Sequence, residues 1–160
     1  MMKIDIITVG KLKEKFFAQA CDEYIKRLGR DCELKITELD EHRLPADPSP
    51  AQISAALEKE AERIREKIRP RSRIIAMCVE GKERSSEEMA KLMDEGAMLG
   101  STGLTFIIGG SFGLSENIKK DAWVKLSMSK MTFPHHLARV MLLEQIYRAF
   151  RINAGSDYHK

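Results

Sequence analysis

Two short segments in the last third of the chain carry residues suited to holding a small polar ligand. The first is Ile108-Gly109-Gly110-Ser111-Phe112-Gly113, at the end of the apolar run Leu104–Ile108. The second is Leu126-Ser127-Met128-Ser129-Lys130-Met131-Thr132-Phe133-Pro134-His135, which opens directly into an apolar helical stretch. Glycine permits positive φ and lets a ligand approach the backbone, and strand ends are where α/β folds collect their ligands. The glycine segment does not satisfy GxGxxG, because Ser111 stands at the second required glycine, and it lacks the Lys-Ser/Thr of a phosphate-cradling loop. The first strand ends in Gly10-Lys11-Leu12-Lys13, with no glycine cluster. A dehydrogenase and a Rossmann-type methyltransferase are therefore disfavoured, and an ordinary tight turn explains the glycine segment equally well when it is taken alone. In the second segment Ser127, Ser129 and Thr132 alternate with Met128, Met131 and Phe133, too polar for a buried strand and too apolar for a free loop. A chain that closes over an apolar ligand while donating backbone hydrogen bonds has this composition. A strand end followed by a helix cap accounts for Thr132 and Pro134 but leaves Lys130 and Met131 unexplained.

Other chemistry-bearing residues are sparser. His135 and His136 could serve as acid/base groups, although a histidine in a helix's first turn is more often simply solvated. The tail Gly155–Lys160 reads as a frayed end, or, with Tyr158 and His159, as a flexible arm that touches substrate. Cys21, Cys32 and Cys78 are an odd number without CxxC spacing, which argues against a disulfide framework or a zinc site and for buried small apolar side chains. The four histidines, His42, His135, His136 and His159, are not spaced as a metal cluster, so no metal is expected. Net charge is only +3, but residues 119–160 carry eight Lys/Arg against Asp121, Glu144 and Asp157, a net of +5, leaving −2 for the first 118 residues. This asymmetry points to a polyanionic substrate near the glycine segment; the competing explanation is a solvated helix face.

The elements that must position these segments alternate between strand and helix. Residues 2–9 read as a strand, 13–28 as a helix with one apolar face, and 33–39 as a second strand. A proline-rich connection from Asp40 to Pro50 follows. Ser49-Pro50-Ala51-Gln52 has the form of a capping box with proline at the first helical position. Behind it Ile53, Leu57, Ala61, Ile64 and Ile68 form a single apolar stripe up to Pro70. Arg73–Val79 is nearly continuously apolar, as in a strand buried on both faces, and Gly81 is expected to break it. Ser85-Ser86-Glu87-Glu88 caps a helix through Leu99. Leu104–Ile108 is a fourth strand, Trp123–Met128 a fifth, and Pro134 opens a last helix to about Ile152. The class is α/β, with a mostly parallel sheet flanked by helices, organised as one domain over residues 1–160. The last helix is apolar around well over half its circumference, which suggests a face for a partner subunit. Arg139, Glu144, Arg148 and Arg151 are assigned to its remaining polar arc. No apolar run approaches the roughly 18–20 residues that span a bilayer, and the N-terminus reads as a strand rather than a secretory signal, so a cytoplasmic location is expected.

Taken together, these residues resemble a known family. Lys3-Ile4 through Val9-Gly10-Lys11-Leu12-Lys13, Ile108-Gly109-Gly110-Ser111-x-Gly113, Ser127-x-Ser129-Lys130-Met131-Thr132-Phe133-Pro134-His135, Glu144-Gln145-x-Tyr147-Arg148-Ala149-Phe150 and Tyr158-His159-Lys160 are similar to the signatures of the RlmH-type rRNA pseudouridine N3-methyltransferases of the SPOUT class. The likeness extends over essentially the whole chain, with Phe112 where that family often has Asn. The resemblance implies a C-terminal trefoil knot, a rare exception to unknotted topology, and an obligate homodimer. It implies S-adenosylmethionine as methyl donor, held by Met77, Gly109, Met128, Ser129, Lys130, Met131, Thr132 and Phe133. It also implies, as substrate, a pseudouridine of large-subunit rRNA in the assembled ribosome. Arg148, Tyr158 and His159 are the candidates for holding the base and easing its deprotonation, with His159 as proton acceptor. The alternatives are ribose 2′-O-methylation of tRNA on the same fold and a non-catalytic ribosome-associated binding protein.

Overall fold

The computed structural model describes residues 1–98 and 100–160. Its five strands are Met2–Val9 (β1), Cys32–Leu39 (β2), Arg73–Glu83 (β3), Leu104–Ile108 (β4) and Val124–Ser127 (β5). The helices are Lys15–Leu28 (α1), Pro50–Lys67 (α2), Ser86–Gly96 (α3), Glu116–Asp121 (α4) and His135–Asn153 (α5), with a 3-10 turn at Asp157–His159. The strands pair in the order β2-β1-β4-β3-β5, every pair parallel.

The central strands are apolar because both their faces are covered. Ile4, Ile6, Leu104, Phe106 and Ile75 point into one core with Cys21 and Leu28 of α1, Met89 and Met93 of α3, and Leu142, Leu143 and Ile146 of α5. Ile7, Val9, Ala76 and Ile107 point the other way, onto Ala61 and Ile64 of α2 and Ile118 of α4. Both expected capping boxes form. Ser49 Oγ accepts from the Gln52 amide at 3.2 Å while Gln52 Oε1 accepts from the Ser49 amide at 2.8 Å, and Ser85 and Glu88 do the same at 3.1 and 2.7 Å.

Several sequence expectations are corrected. Gly81 does not end β3; the strand runs on to Glu83, with a register shift between Met77 and Lys82. A Cβ at Gly81 would stand 2.7 Å from the Leu126 backbone, so glycine lets two backbones touch there rather than turning the chain. α3 ends at Gly96, and Leu99, its expected end, lies outside the described residues. The stretch between the glycine loop and β5 contains α4, capped by Ser115 and anchored by buried Ile118. The tail is not frayed: its 3-10 turn packs Tyr158 edge-on against Tyr147, with ring centroids 4.9 Å apart. Arg139 is not on a polar arc but is buried, 4% exposed. Cys21 and Cys32 are core residues, and burial pushes the Cys32 thiol up to about 12. Cys78 is only half-buried.

Candidate functional site

Parallel register brings the ends of β4 and β5 level with the register shift of β3, since Met77 pairs with Ile108 on one side and Leu126 on the other. At that level the chain forms three walls of a cleft of about 750 Å³: Met77–Glu80 within β3 at its register shift, Gly109–Gly113 after β4, and the end of β5 with the segment that follows it to Phe133, with His135 at the start of α5.

The glycine loop is folded tightly on itself. The Gly113 amide donates to Gly110 O at 3.1 Å, Gly113 has φ +79°, and a Cβ at Gly109 would meet Gly113 O at 2.3 Å. Glu41, from the proline-rich connection, accepts the Ser111 amide and packs against Gly110. In the third wall Ser127 Oγ donates to Ser129 O at 3.0 Å and the Met131 amide donates to Ser129 Oγ at 3.0 Å. Among the described residues, the amides of Thr132 and Phe133, two residues that line the cleft, reach no protein acceptor. Its rim is apolar, with Phe112 48% and Met131 73% exposed. Lys119 pairs with Glu80 on the wall, and that hydrogen bond holds the Glu80 carboxyl below the usual range. Burial, reinforced by neighbouring His136, lowers His135 and favours its neutral ring.

Of the residues singled out from the sequence, Met77, Gly109, Met128, Ser129, Met131, Thr132 and Phe133 line this cleft, while Lys130 is exposed and does not. Arg148, Tyr158 and His159 come together elsewhere, around Glu144. Arg148 donates from Nε to Glu144 Oε1 at 2.9 Å, and its guanidinium lies over the Tyr158 ring at 4.9 Å. Tyr158 donates its hydroxyl to the same oxygen at 3.3 Å. His159 Nδ1 is 3.3 Å from Arg148 Nη1, and Nε2 is 2.7 Å from Glu87 Oε1. A guanidinium can only donate, so Nδ1 must accept and Nε2 must carry the proton that it gives to Glu87. The pattern defines one neutral tautomer with both nitrogens engaged.

The chain matches, over residues 2–159, the family model described as "Predicted SPOUT methyltransferase". This protein belongs to the SPOUT methyltransferase family. Its relatives include the Ribosomal RNA large subunit methyltransferase H of Ligilactobacillus salivarius, 49% identical over 99% of this chain and 100% of that protein. Others are the putative protein of the same name from Methanococcus maripaludis, 50% identical, and the Clostridioides difficile protein, 48% identical, each with the same coverage. The doubly covered α/β sheet is the fold of this SPOUT chain, and its cleft lies at the strand ends that the sequence pointed to. Sequence reasoning missed Glu41, which sits 70 residues from the amide it holds and has no local signature. It also missed the Glu80–Lys119 pair, whose two partners lie on a strand extension and on a helix that were both read as connections. Among the described residues no helix is long and apolar enough to cross a membrane.

Proposed function

We propose that this protein, acting as one domain over residues 1–160, is an S-adenosylmethionine-dependent methyltransferase that modifies N3 of a pseudouridine in large-subunit rRNA of the assembled ribosome. The observation that carries the reading is the cleft between the register shift of β3 and the ends of β4 and β5, in a chain of the SPOUT family. Its volume falls within the roughly 300–1,000 Å³ of small-molecule sites. Met77, Ile108, Leu126 and Met131 offer apolar surface to a flat ring, and the open amides of Thr132 and Phe133 offer donors to its polar edge, so the residues present fit the cofactor. When bound, S-adenosylmethionine supplies an electrophilic methyl group on a sulfonium centre. Support for an RNA substrate comes from the printed names of the relatives and from the net +5 of residues 119–160.

A neutral imide nitrogen is a poor nucleophile, so its proton must leave before or during attack. His159 takes that proton in this reading. Its Nδ1 lone pair faces Arg148, whose N–H stands where the imide N–H would donate; Glu87, on Nε2–H, steadies the ring as it becomes positive. Arg148, kept in place by Glu144, then turns its free N–H groups to a carbonyl of the base, and Tyr158 packs beside it. The loops from β4 and β5 fix the geometry and exclude water, which supplies much of the rate. The protein works as a cytoplasmic homodimer carrying the trefoil knot of its class. The half-covered apolar surface of α5 and Phe16 of α1, 63% exposed, support the dimer.

The test is incubation of the protein and labelled S-adenosylmethionine separately with whole ribosomes and with bulk tRNA, followed by nucleoside analysis. Label in large-subunit rRNA as N3-methylated pseudouridine is expected. Ribose-methylated tRNA would favour the first alternative, and absence of cofactor binding by calorimetry would favour a non-catalytic ribosome-binding protein.

A further inference from the structure

The cofactor cleft contains one charged pair that neither the ring contacts nor the methyl transfer uses. Among the described residues that line it, Glu80 is the only carboxylate and Lys119 the only lysine or arginine. Glu80 stands there because β3 is interrupted. Pairing with β5 passes from Met77–Leu126 to Lys82–Leu126, so Cys78–Gly81 leave the ladder. Gly81, without a Cβ, then lets the strand close back against the Leu126 backbone. A bulge of this kind re-aims side chains, and here it sets Cys78, Val79 and Glu80 on the cleft wall. Lys119, from α4, is nearly covered, 14% exposed; its Nζ contacts Glu80 Oε1 and lies 3.3 Å from Glu116 Oε1. One cation is therefore shared by two carboxylates. Glu80 itself is 50% exposed, and among the described residues no other side chain pairs with it; Lys125 acts on it only through its field. The result is an ionised carboxylate, oriented by a covered lysine, with acceptor capacity left open at the cleft.

We propose that Glu80 receives the vicinal hydroxyls of the cofactor's ribose, with Lys119 as the residue that positions its carboxylate. This assignment rests on the S-adenosylmethionine reading of the cleft and adds the sugar to it. An ionised carboxylate can only accept, so its ligand must bring O–H or N–H donors. A ribose diol brings two on adjacent carbons. The carboxylate has about four lone-pair sites, so Lys119 leaves room for both hydroxyls, and hydrogen bonds to an ionised acceptor are the strong ones. The remaining walls divide the cofactor in the same sense. Met77, Ile108 and Leu126 suit the flat ring, and the Thr132 and Phe133 amides suit its polar edge. Glu80 lies three residues beyond Met77 on β3, so the acidic part of the wall adjoins the part that takes the ring, as a sugar adjoins its base. The α-ammonium of the methionyl arm is the competing donor. Lys119 already supplies Glu80 with an ammonium, so a second one gains less than neutral hydroxyls do. An ion pair with one member half exposed contributes little to the fold, so stability alone does not account for a carboxylate in the cleft.

The experiment compares the wild type with Glu80→Gln and Lys119→Met. Calorimetry measures binding of S-adenosylmethionine, S-adenosylhomocysteine and 5′-methylthioadenosine, which lacks the amino-acid arm. Titration with adenosine, 2′-deoxyadenosine and 3′-deoxyadenosine isolates the sugar, and thermal unfolding without ligand gives Tm. Glu80→Gln should bind S-adenosylmethionine about tenfold more weakly, with Tm within about 2 °C of wild type. The wild type should prefer adenosine to each deoxynucleoside by about tenfold. In Glu80→Gln that preference should shrink to about twofold, because hydroxyl and carboxylate act as one unit. Lys119→Met, which keeps the carboxylate but frees it, should fall between the two. S-adenosylhomocysteine and 5′-methylthioadenosine should lose affinity equally in Glu80→Gln; a loss confined to S-adenosylhomocysteine would assign Glu80 to the ammonium and overturn the proposal. If Glu80→Gln keeps the full preference for adenosine, the sugar is held elsewhere, and the cofactor reading stands without this assignment. A drop in Tm with that preference intact would make the pair structural and overturn it likewise. If the wild type binds the adenosines in a Glu80-dependent way but binds no S-adenosylmethionine, the sugar site is supported and the cofactor reading falls.

Discussion

Arg139 of α5 reaches Glu38 at the end of β2, Nη1 standing 2.8 Å from Oε2 across 101 residues of sequence. Its Nη2 donates to Thr8 Oγ1 at 2.8 Å and to Gly10 O at 3.2 Å. One buried guanidinium thus fastens the start of α5, and with it Pro134 and His135 of the cleft, to the ends of β1 and β2. Replacing it with methionine leaves Thr8 Oγ1 without its donor, Gly10 O with only the Thr8 hydroxyl at 3.4 Å, and Glu38 without this buried cation. Arg139→Met should therefore cost about 2–4 kcal/mol in urea unfolding. Arg139→Lys should recover little, because a compact ammonium cannot span all three acceptors.

The same pair sets an acid limit. Burial pushes the Glu38 carboxyl up, but hydrogen bonds from Arg139 and the Leu12 amide outweigh it and hold the group below the usual carboxylate range. A lowered folded-state value contributes stability that is present above the unfolded value, near 4.3, and is lost as pH falls through the folded one. The Tm difference between wild type and Arg139→Met should accordingly narrow below about pH 4. A gap that stays constant to pH 3 would show that Glu38 contributes nothing.

His135 has the opposite chemistry and a separate window. Burial first, then the neighbouring His136, lower its folded-state value below that of the unfolded chain, near 6.5. The unfolded state then binds the extra proton first, so stability falls as pH drops below about 6.5. His135→Gln should flatten the Tm profile between pH 7 and 5, measured by calorimetry, and leave the profile near pH 4 unchanged.

Strand and helix positions were legible because their apolar spacing follows from which faces are covered, and Ser49 and Ser85 carry their caps in the sequence. Periodicity could not see what is settled by contact. It put Arg139 on a solvated arc, because a buried paired cation and an exposed one repeat alike. α4 escaped notice because a six-residue helix with Ile118 as its one buried residue has no period to detect. Gly81 read as a breaker because its need for room against Leu126 is set by a strand 45 residues away in the chain. The cleft loops were found from composition; Glu41, which braces one of them, was not, since nothing near it announces the Ser111 amide.

The glycine loop and the rim of the cleft should respond differently to substitution. A Cβ at Gly109 meets Gly113 O at 2.3 Å, a backbone atom that cannot turn aside. Gly109→Ala should weaken S-adenosylmethionine binding more than about tenfold while circular dichroism still reports a folded chain. Met131, 73% exposed, should lower cofactor affinity when changed to Ala, with Tm within about 1 °C of wild type. Equal losses of Tm in the two variants would mean that the loop's effect is general destabilisation.

The proton-transfer role of His159 makes a more demanding prediction. Its Nδ1 lone pair is filled by Arg148 and its Nε2 proton is given to Glu87, so the base works only when Arg148 yields Nδ1 and Glu87 keeps the ring oriented. His159→Ala should lower the single-turnover rate by about 10²–10⁴-fold, with cofactor affinity unchanged. Glu87→Gln keeps an acceptor for Nε2–H but removes the negative charge. It should therefore lower the single-turnover rate with cofactor affinity unchanged, since the ring loses the charge that balances it as it takes the proton. A merely structural Glu87 would instead lower Tm and cofactor affinity together with the rate. Raising pH should partly rescue His159→Ala, because the imide then ionises without help and the cleft needs only to position it. If single-turnover methylation by His159→Ala matches the wild type at every pH, the tail holds the base and the proton leaves by another route.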